Sequence, residues 1–260
     1  MPKFIGKLTS IGIGKEGTRG AGVAPSYWLN CRSFDFFNKA DKARSTAGLG
    51  GIWDASQALV TFKRAEGSTE LEVSDKSFGL LLLSTLGTVS SAVKETTAYN
   101  HTYTLQNDNT HDSLSITTTD PIGDLQFKLA MVEKLTLTFV PDDLVTASID
   151  FKSKHSVPSS TATAYVAENK FIGRHLTFKI AAATGDLTAA TAVKLKKLVL
   201  NIEKNTKFDN VLGSVTADEI LNQNFRITGE LELNYEDRTV ADYMLDGDYK
   251  AIRIDLKNSD

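Results

Sequence analysis

The stretch Phe-Arg-Ile-Thr-Gly-Glu-Leu-Glu-Leu-Asn-Tyr-Glu-Asp, residues 225–237, alternates with period two. Ile227, Gly229, Leu231, Leu233 and Tyr235 fall on one side, and Arg226, Thr228, Glu230, Glu232 and Asn234 on the other. This predicts a strand with one dry face and one hydrated, mostly acidic face. Three further stretches share the pattern. Ala65, Gly67, Thr69, Leu71 and Val73 oppose Glu66, Ser68, Glu70 and Glu72; Leu135, Leu137 and Phe139 oppose Lys134, Thr136 and Thr138; Val145, Ala147, Ile149 and Phe151 oppose Thr146, Ser148, Asp150 and Lys152. Four such strands predict an antiparallel sheet with a core-facing side and a long hydrated side.

Around these strands the composition is that of a globular chain, with 41% hydrophobic and 23% charged residues, which leaves room for a sizeable core. A formal net charge of −3 gives the whole surface no reason to grip nucleic acid or anionic lipid. The single cysteine, Cys31, rules out an intrachain disulfide framework and points to cytosolic synthesis. The start of the chain carries no apolar signal core, and the longest apolar run, 80–83, is too short to span a bilayer. No low-complexity linker divides residues 1–260, so we expect one domain.

Read in order, residues 1–26 carry Gly12, Gly14, Gly17, Gly20 and Gly22 and read as an N-terminal arm. Residues 27–36 have strand chemistry. Residues 37–57 lack a clean period and read as a long loop, in which Ile52 and Trp53 are apolar groups without a local core. Ser74 or Asp75 can cap a helix over 75–86 that Gly87 ends. Residues 88–100 read as a connection, 101–105 and 113–118 as a hairpin, and 125–131 as a strand. A second hairpin, 134–140 with 145–152, turns around Pro141, Asp142 and Asp143. Residues 153–167 form a polar loop. Strands follow over 175–180, 196–204 and 252–256. Thr216 and Glu219 suggest a capping box for one helical turn, and Asp237 a cap for a short helix over 240–245 stopped by Gly247.

Candidate chemistry is sparse. Gly12, Gly14 and Gly17 match G-x-G-x-x-G, but no helix can open after them through Pro25, so a dinucleotide site is disfavoured. His111 beside Asp108 and Asp112 is the nearest thing to a metal cluster, though turn chemistry gives the same composition. Cys31 reads as a buried, inert thiol. Glu230 with Glu232, and Glu70 with Glu72, have the spacing of a glycosidase carboxylate pair, but a solvated sheet face produces the same ladder. The residues alone predict a non-enzymatic binding or structural module without cofactor or metal.

The order of motifs adds to this. The segment 14–29 (GKEGTRGAGVAPSYWL) resembles the opening of tail tube proteins of long-tailed bacteriophages. So do AEGSTEL at 65–71, SFGLLLL followed by LG within 77–87, YNHTYTL at 99–105 and DSLSI at 112–116. The segment 213–237, GSVTADEI through ITGELEL to YED, is the strongest part. The resemblance covers nearly the whole chain.

It implies a mainly β fold, an antiparallel β-sandwich or barrel-like structure with one flanking α-helix and a long loop, its sheets joined between subunits into a ring. It implies a structural virion protein, made in the host bacterial cytoplasm, whose hexameric rings stack into a hollow tube. The implied partners are further copies of itself, tape measure, tail tip and terminator proteins, and double-stranded DNA that passes without specific binding; no membrane is involved. The lumen-facing residues would then be Glu66, Ser68, Glu70, Glu72, Thr136, Thr138, Thr146, Ser148, Asp150, Thr228, Glu230 and Glu232. Arg44, Leu49, Ile52 and Trp53 would make contacts between rings. Lys134, Lys152 and Arg226 share the hydrated faces by parity and need neutralising. A tube subunit of a contractile or secretion device, and a monomeric carbohydrate-binding or hydrolytic β-sandwich, are the competing readings.

Overall fold

The computed structural model describes residues 6–46, 50, 57–96, 98–234 and 238–257. The chain opens with β1 (Ser10–Lys15) and β2 (Tyr27–Leu29), then runs through a long hairpin of β3 (Cys31–Arg44) and β4 (Ala58–Glu72). Helix α1 (Phe78–Leu86) leads into a second hairpin, β5 (Gly87–Glu95) and β6 (Ala98–Leu105). Next come β7 (Leu114–Thr119), the 16-residue β8 (Asp124–Phe139), β9 (Thr146–Lys154) and β10 (Val157–Ser159). The last third holds β11 (Leu176–Ala181), β12 (Ala192–Val193), β13 (Leu195–Glu203), β14 (Lys207–Asp209), β15 (Glu219–Leu221), β16 (Arg226–Leu233), helix α2 (Thr239–Asp246) and β17 (Ala251–Leu256).

The organising element is β8. Its first half pairs with β7 and β10, and β7 continues through β1 to β2. Its second half pairs with β9 on one side and β13 on the other. That second sheet runs β3-β4-β9-β8-β13-β16, antiparallel throughout. Between the halves, Leu129 adopts a positive φ of 54°, and a bulge follows between Val132 and Lys134. One strand thereby turns from one sheet into the next.

The two sheets share a core. Phe36 of β3, Phe127 of β8 and Phe151 of β9 meet there, with ring centroids 4.9 Å (Phe36–Phe127) and 6.3 Å (Phe36–Phe151) apart. Ile11, Ile13, Ile116, Leu71, Leu135, Ala147 and Ile149 fill the space around them. A third, three-stranded sheet, β12-β11-β17, adds Phe178 to the same core. Gly67 lets β3 approach β4: a Cβ there would run into the Asp35 carbonyl of the neighbouring strand.

Several expectations are corrected. The stretch read as an N-terminal arm contains β1, whose Ile11 and Ile13 are buried. Gly12 and Gly14 serve close packing, since a Cβ at Gly12 would meet Pro25 and one at Gly14 would meet Ala24. Glu16, also buried, takes hydrogen bonds from the Gly20 and Leu129 amides and the Ser113 and Ser115 hydroxyls. Of the stretch read as a loop over 37–57, residues 47–49 and 51–56 lie outside the described residues; the first part is strand, because β3 runs to Arg44 and pairs back with β4 as far as Ala58. Its exposed, charge-rich sequence hides a period that partner hydrogen bonds enforce. The expected connection over 88–100 is largely the hairpin β5–β6, and β7 pairs with β1 and β8 rather than with residues 101–105. Residues 125–131 and 134–140 belong almost wholly to one strand, β8.

Residues 219–221, expected in a helical turn, form β15 against β14. The helix after Ser74 starts at Phe78, and its cap comes from afar: the Glu168 carboxylate accepts from the Ser77 amide and from the hydroxyls of Ser74 and Ser77. Gly87 ends α1 at φ 101°, as expected. Among the described residues there are two α-helices: beside α1, the short helix expected over 240–245 is α2, which ends on Gly247 in the left-handed region.

Candidate functional site

The hydrated residues of β4, β9, β8 and β16 were read from separate stretches, and strand register brings them together on one face of the second sheet. One row across it reads Ser33, Glu70, Ser148, Thr136, Asn201, Thr228. The row beside it reads Asp35, Ser68, Asp150, Lys134, Glu203, Arg226. On the other side of the first row lie Glu72, Thr146, Thr138, Val199 and Glu230. Glu66 and Glu232 extend the face at opposite ends, Glu66 across from Lys152 and Glu232 across from Lys197. Directly paired residues of neighbouring strands point the same way, so the whole set forms one surface six strands wide. β13, expected as a strand over 196–204, had not been counted among the wet-faced strands; it supplies Asn201 and Glu203 between β8 and β16, and Leu198, Leu200 and Ile202 place them by parity.

The face is not uniformly acidic. Lys134 pairs with Glu203 at 3.2 Å, and Lys152 with Glu133 at 2.6 Å while also donating to the Thr206 carbonyl. Glu66 meets Arg64 and Lys39 at 2.7 and 3.4 Å. Glu72 meets Arg32 at 3.2 Å and is bonded by Lys170. Two of the three cations that needed neutralising thus have partners; Arg226 sits across from Glu203 in register. Among the described residues Glu70, Glu230 and Glu232 have no ion pair. Asp150 is pushed up by burial, against the pull of Lys134. Thr136 donates to Asn201 at 2.8 Å, tying β8 to β13 across the row.

Glu72 gives the face a measurable pH response. The hydrogen bond from Lys170, with Arg32 second, holds its carboxyl below the usual carboxylate value of 4.5. A depressed folded-state value means that stability is present above the unfolded value and is lost as pH falls through the folded one. Wild type should therefore lose stability relative to Glu72→Gln as pH drops from 6 to 3, by under ~1 kcal/mol because the cations reach solvent. Urea midpoints of both proteins across that range check this; a difference that stays constant with pH would contradict it.

The opposite side of β16 departs from expectation. The dry face of 225–237 is not covered within the chain: Ile227 is 56% and Leu231 36% exposed. Among the described residues β16 pairs only with β13, which leaves its outer edge without a strand partner, like that of β3 at the far end of the sheet. Tyr235 and Asp237 lie outside the described residues, as do Leu49, Ile52 and Trp53. Arg44 closes the outer end of β3, across from Ala58.

The other candidates do not converge. Asp112 is paired with Lys15 at 2.8 Å, Asp108 is bonded by Gln106 and Thr110, and His111 is buried with Nε2 on the Gln106 carbonyl at 2.8 Å. No metal-ligand cluster occurs among the described residues. Burial pushes the Cys31 thiol up, which suits an inert packing role. No helix of the described residues is long and apolar enough to cross a membrane.

No curated protein matches the chain in sequence. Residues 6–260 match the family described as phage tail tube protein, and the chain, with its mainly antiparallel β fold and its broad hydrated sheet face, belongs to that family of structural tail components.

Proposed function

We propose that this chain closes into hexameric rings, that the rings stack into the hollow tail tube, and that the hydrated face of the second sheet lines the channel through which double-stranded DNA leaves. The observation that carries the reading is the register of that face. Polar and charged side chains from six adjacent strands form one continuous surface, broken by Val199 and by the exposed Phe37 opposite Glu66, and no catalytic pair converges on it among the described residues. Only a large hydrated partner, or water, suits such a surface.

The ion pairs refine what the lining does. A Lys or Arg that grips a phosphate releases counterions and holds DNA in place. Here Lys134, Lys152, Lys39 and Arg64 are tied to carboxylates of the same chain. These four cations are occupied, Arg226 and Lys197 face Glu203 and Glu232 in register without an ion pair among the described residues, and negative charge is left on Glu70, Glu230 and Glu232. At physiological salt, screening acts over about 8 Å, so repulsion from these is short-ranged and the lining neither binds nor blocks.

Ring closure needs a head-to-tail interface. The open edges of β3 and β16 and the uncovered Ile227 and Leu231 support one in which a neighbouring copy covers β16. Contacts between rings fall to Arg44, Leu49, Ile52 and Trp53. Tape measure, tail tip and terminator proteins complete the partners, in a virion made in the host cytoplasm. Reversing Glu230 and Glu232 together to lysine tests the lining. Genome release should slow about tenfold or more, most strongly at low salt, while tube yield stays near wild type. Unchanged release kinetics would remove these residues from the channel.

A further inference from the structure

Away from the hydrated face, a pocket of about 400 Å³ lies between the turn after β6 and the segments that follow β13 and β15. Its rim, with Asn107, Asp108 and Asn224, is exposed; its floor is Lys204, His111 and Asn222, all buried. Glu16 and Lys204 are the buried charged side chains among the described residues, and they are treated differently. Glu16 has four donors. The Lys204 ammonium has one acceptor, the Ser84 carbonyl in the last turn of α1. A helix C-terminus suits a cation, but one carbonyl fills only one of three N–H donors and supplies no counter-charge.

One neighbour is also unsatisfied. Neither the Oδ1 nor the Nδ2 of Asn222 has a partner, whereas the His111 ring lies between the backbones of Gln106 and Thr85. Native proteins rarely leave such groups bare. Ordered water could satisfy the amide. Water does not neutralise Lys204, and the surrounding charges do not either. Arg19, which bonds the His111 carbonyl, is already paired with Glu219 at 2.7 Å. Glu133, whose carbonyl accepts from the Lys204 amide, has its carboxylate on Lys152. Asp108 sits at the exposed rim, held by Gln106 and Thr110. The cluster is short of one negative charge and lines an open space.

We propose that this pocket binds a small oxyanion on Lys204, His111 and Asn222, either a free tetrahedral ion or a carboxylate carried by a second copy of the chain. Burial, with Arg19 adding to it, pulls Lys204 down to about 7, and burial followed by the Lys204 charge lowers His111. A bound anion restores the protonated forms of both. Binding therefore takes up protons, and affinity rises as pH falls through about 7.

Titration of the dispersed chain with sulfate, whose charge does not change in this range, tests the site, with acetate as the carboxylate probe. The Asn222 and Gln223 amide resonances should shift saturably at pH 6.5, respond about tenfold more weakly at pH 8, and lose the response in Lys204→Met. That variant keeps the buried stem and should stay folded. If the dispersed chain ignores both probes but a map of the assembled tube shows a neighbour's carboxylate on Lys204 Nζ, the proposal stands with a second copy as the source. Saturation unchanged in Lys204→Met overturns it. So does the absence of binding together with no acidic group at Lys204 in the tube.

Discussion

Glu16→Leu should lower the stability of the dispersed chain by at least ~3 kcal/mol, the largest single-residue effect we expect from a position far from the hydrated face. The carboxylate serves four donors from three separated segments: Gly20 in its own loop, Ser113 and Ser115 beside β1, and Leu129 in the bend of β8. Removing the acceptor leaves those donors buried and unpaired. It also frees Leu129, which holds a left-handed φ of 54° that a leucine does not adopt without support. The bend in β8 directs its second half into the hydrated sheet, so the loss should spread into β9 and β13. Glu16→Gln keeps one oxygen acceptor and should cost roughly half as much. Urea unfolding of the three proteins measures this. A loss below ~1 kcal/mol for Glu16→Leu would mean that the bend is held by other contacts.

Ile227→Asp with Leu231→Asp should abolish tube formation while leaving the unfolding midpoint of the dispersed chain within ~0.5 kcal/mol of wild type. Both side chains are substantially exposed in the single chain, so little folding energy rides on them. In a ring whose neighbour covers this side of β16, each would be buried, contributing about 1.5–3 kcal/mol per subunit interface. Placing a carboxylate there adds a desolvation cost in every interface. The concentration needed for assembly should rise at least a hundredfold, as read by sedimentation and negative-stain microscopy. Tubes forming at wild-type concentration would show that this side of β16 stays in solvent.

The hydrated sheet was legible because its strands alternate cleanly. At 65–73, 134–139 and 145–152, each apolar residue that sequence placed inward, from Leu71 to Phe151, is buried. Parity even identified which cations needed partners. Legibility failed where the hydrogen-bond partner, and not the pattern, decides the structure. Residues 38–44 carry polar side chains on both faces and form a strand because 58–65 pair with them. Gly12 and Gly14 look like flexibility in a one-dimensional reading, yet they are the small surfaces against which Pro25, Ala24 and Trp28 pack. Glu16 and Lys204 look like ordinary surface charges, and nothing local distinguishes their burial. Ile227 and Leu231 were read as part of a dry, core-facing side, and in the single chain they are exposed; in the proposed ring a neighbouring copy would cover them.

The most direct measurement is a density map of the assembled tube, fine enough to place side chains. The account predicts that the row Glu70, Ser148, Thr136, Asn201, Thr228 and the flanking Glu230 and Glu232 face the central channel, with Lys134 and Lys152 turned onto Glu203 and Glu133. A map that puts this row on the outer wall of the tube, or packs it against a neighbouring subunit, would contradict the account.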